Sequence, residues 1–202
     1  GVDPFSPENH IVIASGPITG SLVPGGSKFV LVTKSPVNNG FLESYSSGNI
    51  AYSIKGAGYD AIIVSGKCEE PSYLKIDNDK VEIVVDESLW GLDTFQTERK
   101  LREKLGDEFS AMVIGPAGEN LVLMAGLNSD FYRQAARGGG GAVFGSKNLK
   151  GIVVRGTKND ISCHDVEKVF SLQREHRKKM AENPVGKTRR KFGSPYTLSM
   201  TN

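Results

Sequence analysis

The sequence has 202 residues, of which 38% are hydrophobic and 24% charged, the range of a globular protein of one or two domains. A formal net charge of +2 is too mild for a polyanion partner, so no nucleic acid is expected. The two cysteines, Cys68 and Cys163, lie far apart and form no CxxC, which argues against a disulfide framework and excludes a four-thiolate metal site within this chain. There is no signal-like start, and the apolar runs are too short for a membrane span, so a cytoplasmic protein with reduced thiols is expected.

Strand-length β-branched runs alternate with corners built from the 24 glycines. In chain order the expected strands are Ile11–Ala14, Phe29–Val32, Ala61–Val64, Ser72–Ile76, Val81–Val85, Ala111–Ile114, Leu121–Met124 and Gly151–Val154. Asp77 to Lys80 suits a hairpin between the fourth and fifth of them. Asp93 or Thr94 caps a helix that runs through Glu98, Leu101 and Leu105 and closes at Gly106. Ser162 precedes a second helix with Val166, Val169, Phe170 and Leu172 on one side, ended by Pro184 after Asn183. The basic stretch from Lys187 to Lys191 reads either as a solvated linker or as a binding patch. The chain begins Gly-Val-Asp-Pro without an initiator methionine and ends on Ser-Met-Thr-Asn, which suggests a fragment.

An internal repeat organises the strands. Ile11–Gly20 resembles Ala111–Asn120: a strand, then Gly-Pro, then a small-residue turn. Each half continues with a glycine-bearing segment (Ser47-Gly48-Asn49; Arg137 to Gly141) and a further strand that ends on glycine. The expected fold is α+β, with two related β-sheet halves (1–66 and 107–156) inside a domain spanning 1–160. Residues 161–202 are expected to form a helix and basic linker leading toward a second domain. Both glycine loops could then share one face and one ligand with two anionic arms.

The strongest local signal is Tyr132 to Gly141. Consecutive glycines can present backbone N–H groups to an anion, and Arg133 and Arg137 add charge-assisted contacts. The same residues could equally make a turn between packed strands. No GxxxxGK[ST] is present, and no strand is expected to run directly into Arg137–Gly141, so neither a P-loop nor a Rossmann fingerprint is supported. The first-half counterpart, Glu43 to Asn49, carries hydroxyls, an amide and a glycine, and Lys28 places one cation at the mouth of a strand. His10, His164 and His176 show no catalytic or metal-ligand spacing, and no general base is found. No catalytic residue is assigned.

Together these segments resemble the N-terminal domain of the aldehyde:ferredoxin oxidoreductase family. The resemblance is carried by Asp3–Asn9, Gly16–Gly20, Val32–Pro36, Gly56–Val64, Ile114–Asn120 and Arg137 through Lys150, in family order over nearly the whole chain. It implies two related sheets on which two pyranopterin dithiolenes surround one tungsten (or molybdenum), with a magnesium ion bridging their phosphates. It also implies a [4Fe–4S] cluster and acid/base residues in later helical domains, ferredoxin as electron acceptor, aldehydes as substrates and a homo-oligomeric complete enzyme. Aromatic thioesters are the substrates of superfamily relatives. By the same resemblance, Ser46, Ser47, Gly48 and Asn49 match the first pterin loop. Arg133, Gln134, Ala135 and Ala136 match the second, with Arg137 and Gly138 adjoining it. Main-chain carbonyls of Ser46 and Gln134 would face the magnesium. Ser46 stands where the best-known members carry asparagine, and Lys28 where they carry an arginine between pterin and cluster. No cofactor is expected in the 202 residues alone. The competing readings are a stand-alone domain that binds a nucleotide or another diphosphate without catalysis, and a nucleic-acid-binding protein that uses the basic stretch Lys178–Lys191.

Overall fold

The computed structural model describes residues 1–21, 23–158 and 163–198. The chain divides into two compact units, Gly1–Gly20 with Ser27–Asp160 and Ser21–Gly26 with Ile161–Asn202. The first unit holds both sheets. Strands β1 (Ile11–Ser15), β2 (Lys28–Lys34) and β3 (Phe41–Ser47) are followed by helix α1 (Asn49–Gly56) and strand β4 (Ala61–Val64), giving an antiparallel sheet of order β3-β2-β1-β4. Strands β5 (Ser72–Asp77) and β6 (Lys80–Val85) form the expected hairpin, turned at Asn78 with φ 52°. Helix α2 (Thr94–Leu105) is held by a full capping box at Asp93 and Gln96, and Gly106 closes it at φ 103°.

The second sheet adds β7 (Ser110–Val113), β8 (Leu127–Ser129), β9 (Arg133–Ala135) and β10 (Leu149–Arg155), in the order β6-β5-β10-β7-β8-β9. Short helix α3 (Pro116–Glu119) follows β7, and α4 (Gly140–Ser146) follows β9. The connectivity repeats. β4-β1-β2-β3 with α1 before β4 has the same pairing order as β10-β7-β8-β9 with α4 before β10. β5 and β6 extend only the second sheet, where β5 runs parallel to β10.

Alternation along the strands decides the layers. Ile11, Ile13 and Leu31 from the first sheet and Ile152 and Val154 from the second bury against Ile50 and Ile54 of α1 and Val143 and Phe144 of α4. The helices lie between the sheets, α1 against β1, β7 and β10 and α4 against β2 and β10. The opposite face of β10 and β7 buries Val153, Ala111 and Val113 under Leu101 of α2, with Tyr73, Leu89 and Phe109. Each fully buried aliphatic side chain contributes about 1.5–3 kcal/mol.

In the first unit three sequence expectations are corrected. Leu121–Met124 is not a strand: α3 ends at Glu119, and the four residues turn outward, 39–76% exposed, with Leu121 at φ 57°. The glycine run is a helix rather than a turn. Gly140 and Gly141 begin α4, and a Cβ at Gly140, Gly141 or Gly145 would strike Leu31, the Gly126 carbonyl or the Gly118 carbonyl respectively. These glycines let two helices and a sheet close on one another. A strand, β9, also leads toward that run, but it is three residues long and antiparallel, so the Rossmann reading still fails.

In the second unit, α5 (Val166–Glu182) is capped by Asp165 and α6 (Pro184–Phe192) by Asn183. Pro184 thus opens a helix instead of only ending one, and Lys187–Lys191 is helical rather than linker. Ser162 lies outside the described residues. Val166, Phe170 and Leu172 of α5 are 39–55% exposed.

Candidate cofactor site

The edge strand of each sheet comes to the same place, β3 beside β9. Ser44 Oγ of β3 accepts from the Arg137 amide at 3.1 Å, and Ser35 Oγ donates to the Gly138 carbonyl at 2.8 Å. The two segments singled out in the sequence, Ser46–Asn49 and Arg133–Gly138, therefore meet. Lys28, the first residue of β2, pairs across the ladder with Ser47, and Ser46 pairs with Phe29.

Gly48 links β3 to α1 at φ 135°, a conformation that favours glycine. A Cβ there would meet the Asp130 carboxylate and the stem of Arg133. Ser27 Oγ donates to the Gly48 carbonyl at 2.6 Å and accepts from its amide at 3.2 Å. The N-terminus of α1 has no cap from its own segment. Asp130 supplies one from the β8–β9 turn: its Oδ2 accepts from the Asn49 and Ile50 amides at 2.5 and 3.4 Å. Glu98 of α2 accepts from the Phe131 amide through both carboxylate oxygens at 3.0 Å.

Of the expected site residues, Lys28, Asn49, Arg133, Gln134, Ala136 and Arg137 are exposed. Ser47, Gly48 and Gly138 are half-buried. Ser46 and Ala135 are buried, at 8% and 1% exposure. Gly138 faces inward, since a Cβ there would strike Leu42. Among the described residues Lys28, Arg133 and Arg137 enter no ion pair; Arg133 and Arg137 lie where β3 meets β9, and Lys28 lies across the ladder from Ser47. No group of three metal-ligating side chains occurs among the described residues.

Burial pushes the Glu98 carboxyl up to about 7; Asp130 adds to the rise, while the Phe131 amide and Arg102 oppose it. Asp130 is also raised by burial, against the Asn49 and Ile50 amides, Arg102 and Arg133. Glu98 is 0% exposed, so it cannot meet a substrate despite titrating near neutrality. Asp130 Oδ1, Ser129 Oγ and Arg102 Nε are buried without a hydrogen-bond partner. The sequence reading missed Ser27, Glu98 and Asp130 as site residues, and held Ser44 only within the segment Glu43 to Asn49. Asn128-Ser129-Asp130 carries a turn signal, but nothing local announces Glu98, which acts 33 residues away.

A paired-sheet domain with unpaired cations and two strand edges at one place can offer charge-assisted contacts to an anionic ligand. Residues 1–156 match the family described as aldehyde ferredoxin oxidoreductase, N-terminal domain, and the chain belongs to that family. It is 42% identical over 203 aligned residues to the tungsten-containing aldehyde ferredoxin oxidoreductases of Pyrococcus horikoshii and Pyrococcus furiosus, covering all of this chain and 33% of each relative. It is 37% identical over 192 residues to the aliphatic sulfonate oxidoreductase, WOR-like subunit, of Pyrococcus furiosus, covering 89% of this chain and 30% of that protein. Among solved structures it is similar to the active-site complex BamBC of benzoyl coenzyme A reductase with 1,5-dienoyl-CoA: TM-score 0.86, 38% identity, 91% of this chain and 28% of that one. The chain thus spans about a third of the length of the curated relatives it matches. Among the described residues no helix is long and apolar enough to cross a membrane.

Proposed function

We propose that this chain is the cofactor-cradling part of an oxidoreductase that converts aldehydes to carboxylic acids and passes the electrons to ferredoxin. The observation that carries the reading is the meeting of Ser46–Asn49 with Arg133–Ala136 beside three unpaired cations. The residues present fit a bis-pyranopterin with phosphate arms. Lys28, Arg133 and Arg137 offer positive charge, and the exposed Asn49 and Gln134 offer amides. Backbone carbonyls of Ser46 and Gln134 would serve a magnesium between the phosphates, a hard cation that takes oxygen ligands. When bound, the tungsten or molybdenum centre supplies the two-electron chemistry. This chain's residues hold and orient the group, and the [4Fe–4S] cluster and acid/base residues belong to later domains. The complete enzyme is read as a homo-oligomer working in the cytoplasm.

The test is to produce the full polypeptide that the gene encodes with tungstate and with molybdate. Metal content and aldehyde-dependent ferredoxin reduction are then measured. A folded protein that takes up neither metal overturns the proposal. A second reading, reduction of an aromatic thioester, is favoured by the likeness to benzoyl coenzyme A reductase and by Lys28. It predicts that a dienoyl or benzoyl thioester, and no aldehyde, turns over.

A further inference from the structure

The two candidate loops are tied together by carboxylates that lie in neither. Asp130 reaches from the β8–β9 turn to the first two amides of α1, directly after Ser46–Gly48. The turn that carries it is held in an unfavourable shape, with Asp130 at φ 48° and Phe131 at φ 61°. Positive φ is rare for a bulky side chain and persists where the surroundings over-determine it. Glu98 does so here, spending both oxygens on the single Phe131 amide. The Arg102 guanidinium lies over the Phe131 ring at 5.0 Å, and Phe95 packs on Phe131 and Tyr132. A fully buried carboxylate that makes one amide contact is a poor choice for stability, because charge is removed from water with little return. What the arrangement does deliver is geometry. Two residues beyond Phe131 comes Arg133, whose stem lies against Gly48.

We propose that Asp130 and Glu98 are positioning residues that fix the spacing between Ser46–Asn49 and Arg133–Ala136, so that both segments can engage one cofactor at once. The inference rests on the reading of those segments as the cofactor cradle. Neither carboxylate need touch the ligand. Asp130 sets the start of α1 relative to the turn, and Glu98 sets the turn relative to α2.

Backbone hydrogen exchange and tungsten content, read on the full polypeptide that the gene encodes, test the inference together. With Asp130→Ala, exchange should quicken at Asn49 and Ile50 and also across the gap at Arg133, Gln134 and Ala135. Tungsten content should fall about tenfold, the loss of one modest contact's worth of affinity. Asp130→Asn keeps an acceptor oxygen for the α1 amides and should restore most of both readouts. Glu98→Ala should loosen Phe131 and Arg133 and lower tungsten content in the same way. Should Asp130→Ala fail to fold, Glu98→Ala takes its place, read by faster exchange at Phe131 and Arg133 and a lower tungsten content. Loosening confined to Asn49 and Ile50 overturns the inference, as does full tungsten content with both loops loosened. An unaltered polypeptide that holds neither tungsten nor molybdenum is a separate result, and it removes the reading of the site itself.

Discussion

Lys150 of β10 and Glu119 of α3 form an ion pair cut off from water, with side chains 1% and 4% exposed. The lysine also donates to the Leu92 carbonyl at 2.8 Å, and the Glu119 oxygens accept from the Gly91 amide at 3.0 and 2.9 Å. Burial pushes the Lys150 ammonium down in pKa, and Glu119 holds it up. One pair thus pins the Gly91–Leu92 segment before α2 to both α3 and the central strand.

Lys150→Met should therefore destabilise the chain by about 3–5 kcal/mol, because it strands a buried carboxylate. Adding Glu119→Gln, which keeps an acceptor for the Gly91 amide, should recover most of that loss. Urea unfolding of the two single variants and the double one measures the coupling. If the two losses simply add, the pair is not what holds this corner.

Gly145→Ala reverses the ordinary helix rule. In an exposed helix interior the change gains about 0.5–1 kcal/mol. Here the new Cβ would run into the Gly118 carbonyl, so α3 and α4 must separate. A loss of about 1–3 kcal/mol is expected, typical of overpacking. Gly16→Ala is the control: its nearest new neighbour is Thr19 Oγ1 at 3.6 Å, and it should stay within about 0.5 kcal/mol. Equal effects at both positions would contradict the close-packing account.

Much of this fold is legible in the sequence because its signals are local. The β5–β6 hairpin announces itself by two alternating runs around Asn78-Asp79, and α2 by Asp93, Gln96 and Gly106. What stays hidden depends on tertiary contact. Gly140–Ser146 lacks helix-forming composition and is helical because it is sealed between sheets, every residue buried. Leu121–Met124 has strand composition yet no neighbouring strand to pair with. In the site, the exposed cations and the Gly48 hinge were readable as residue types. Asp130 and Glu98 were not, because their partners lie 81 and 33 residues away.

Glu98 should give the chain a distinctive pH response. Its folded carboxyl titrates near 7, above the ordinary 4.5, so the folded state binds this proton more tightly than the unfolded one. The stability contributed by the neutral form is complete below about 4.5 and is lost as pH rises through about 7. Glu98→Gln, which stays neutral and keeps an acceptor for Phe131, should be more stable than the parent at pH 8 by on the order of 2 kcal/mol. The advantage should vanish near pH 4.5. Chemical denaturation at both pH values checks it, and a difference independent of pH would show that Glu98 does not titrate in this range.

The last prediction separates the arginines. The Arg133 side chain is exposed and enters no ion pair among the described residues, although it lies close enough to Asp130 to favour the ionised carboxylate. Its loss should leave folding nearly intact. In the full polypeptide a charge-assisted contact to a cofactor phosphate is worth roughly 1.5–3 kcal/mol. Arg133→Ala should therefore weaken cofactor retention by about one to two powers of ten. Arg137 is the comparison: its exposed side chain is free, and what anchors it is the backbone amide on Ser44 Oγ, which alanine preserves. Arg137→Ala should likewise keep the melting temperature, so retention alone reports which arginine faces the phosphates. Cofactor occupancy beside melting temperature, measured for both variants, decides the matter. If Arg133→Ala keeps full occupancy while the protein melts early, the residue is structural, and the anionic arm of the ligand lies elsewhere.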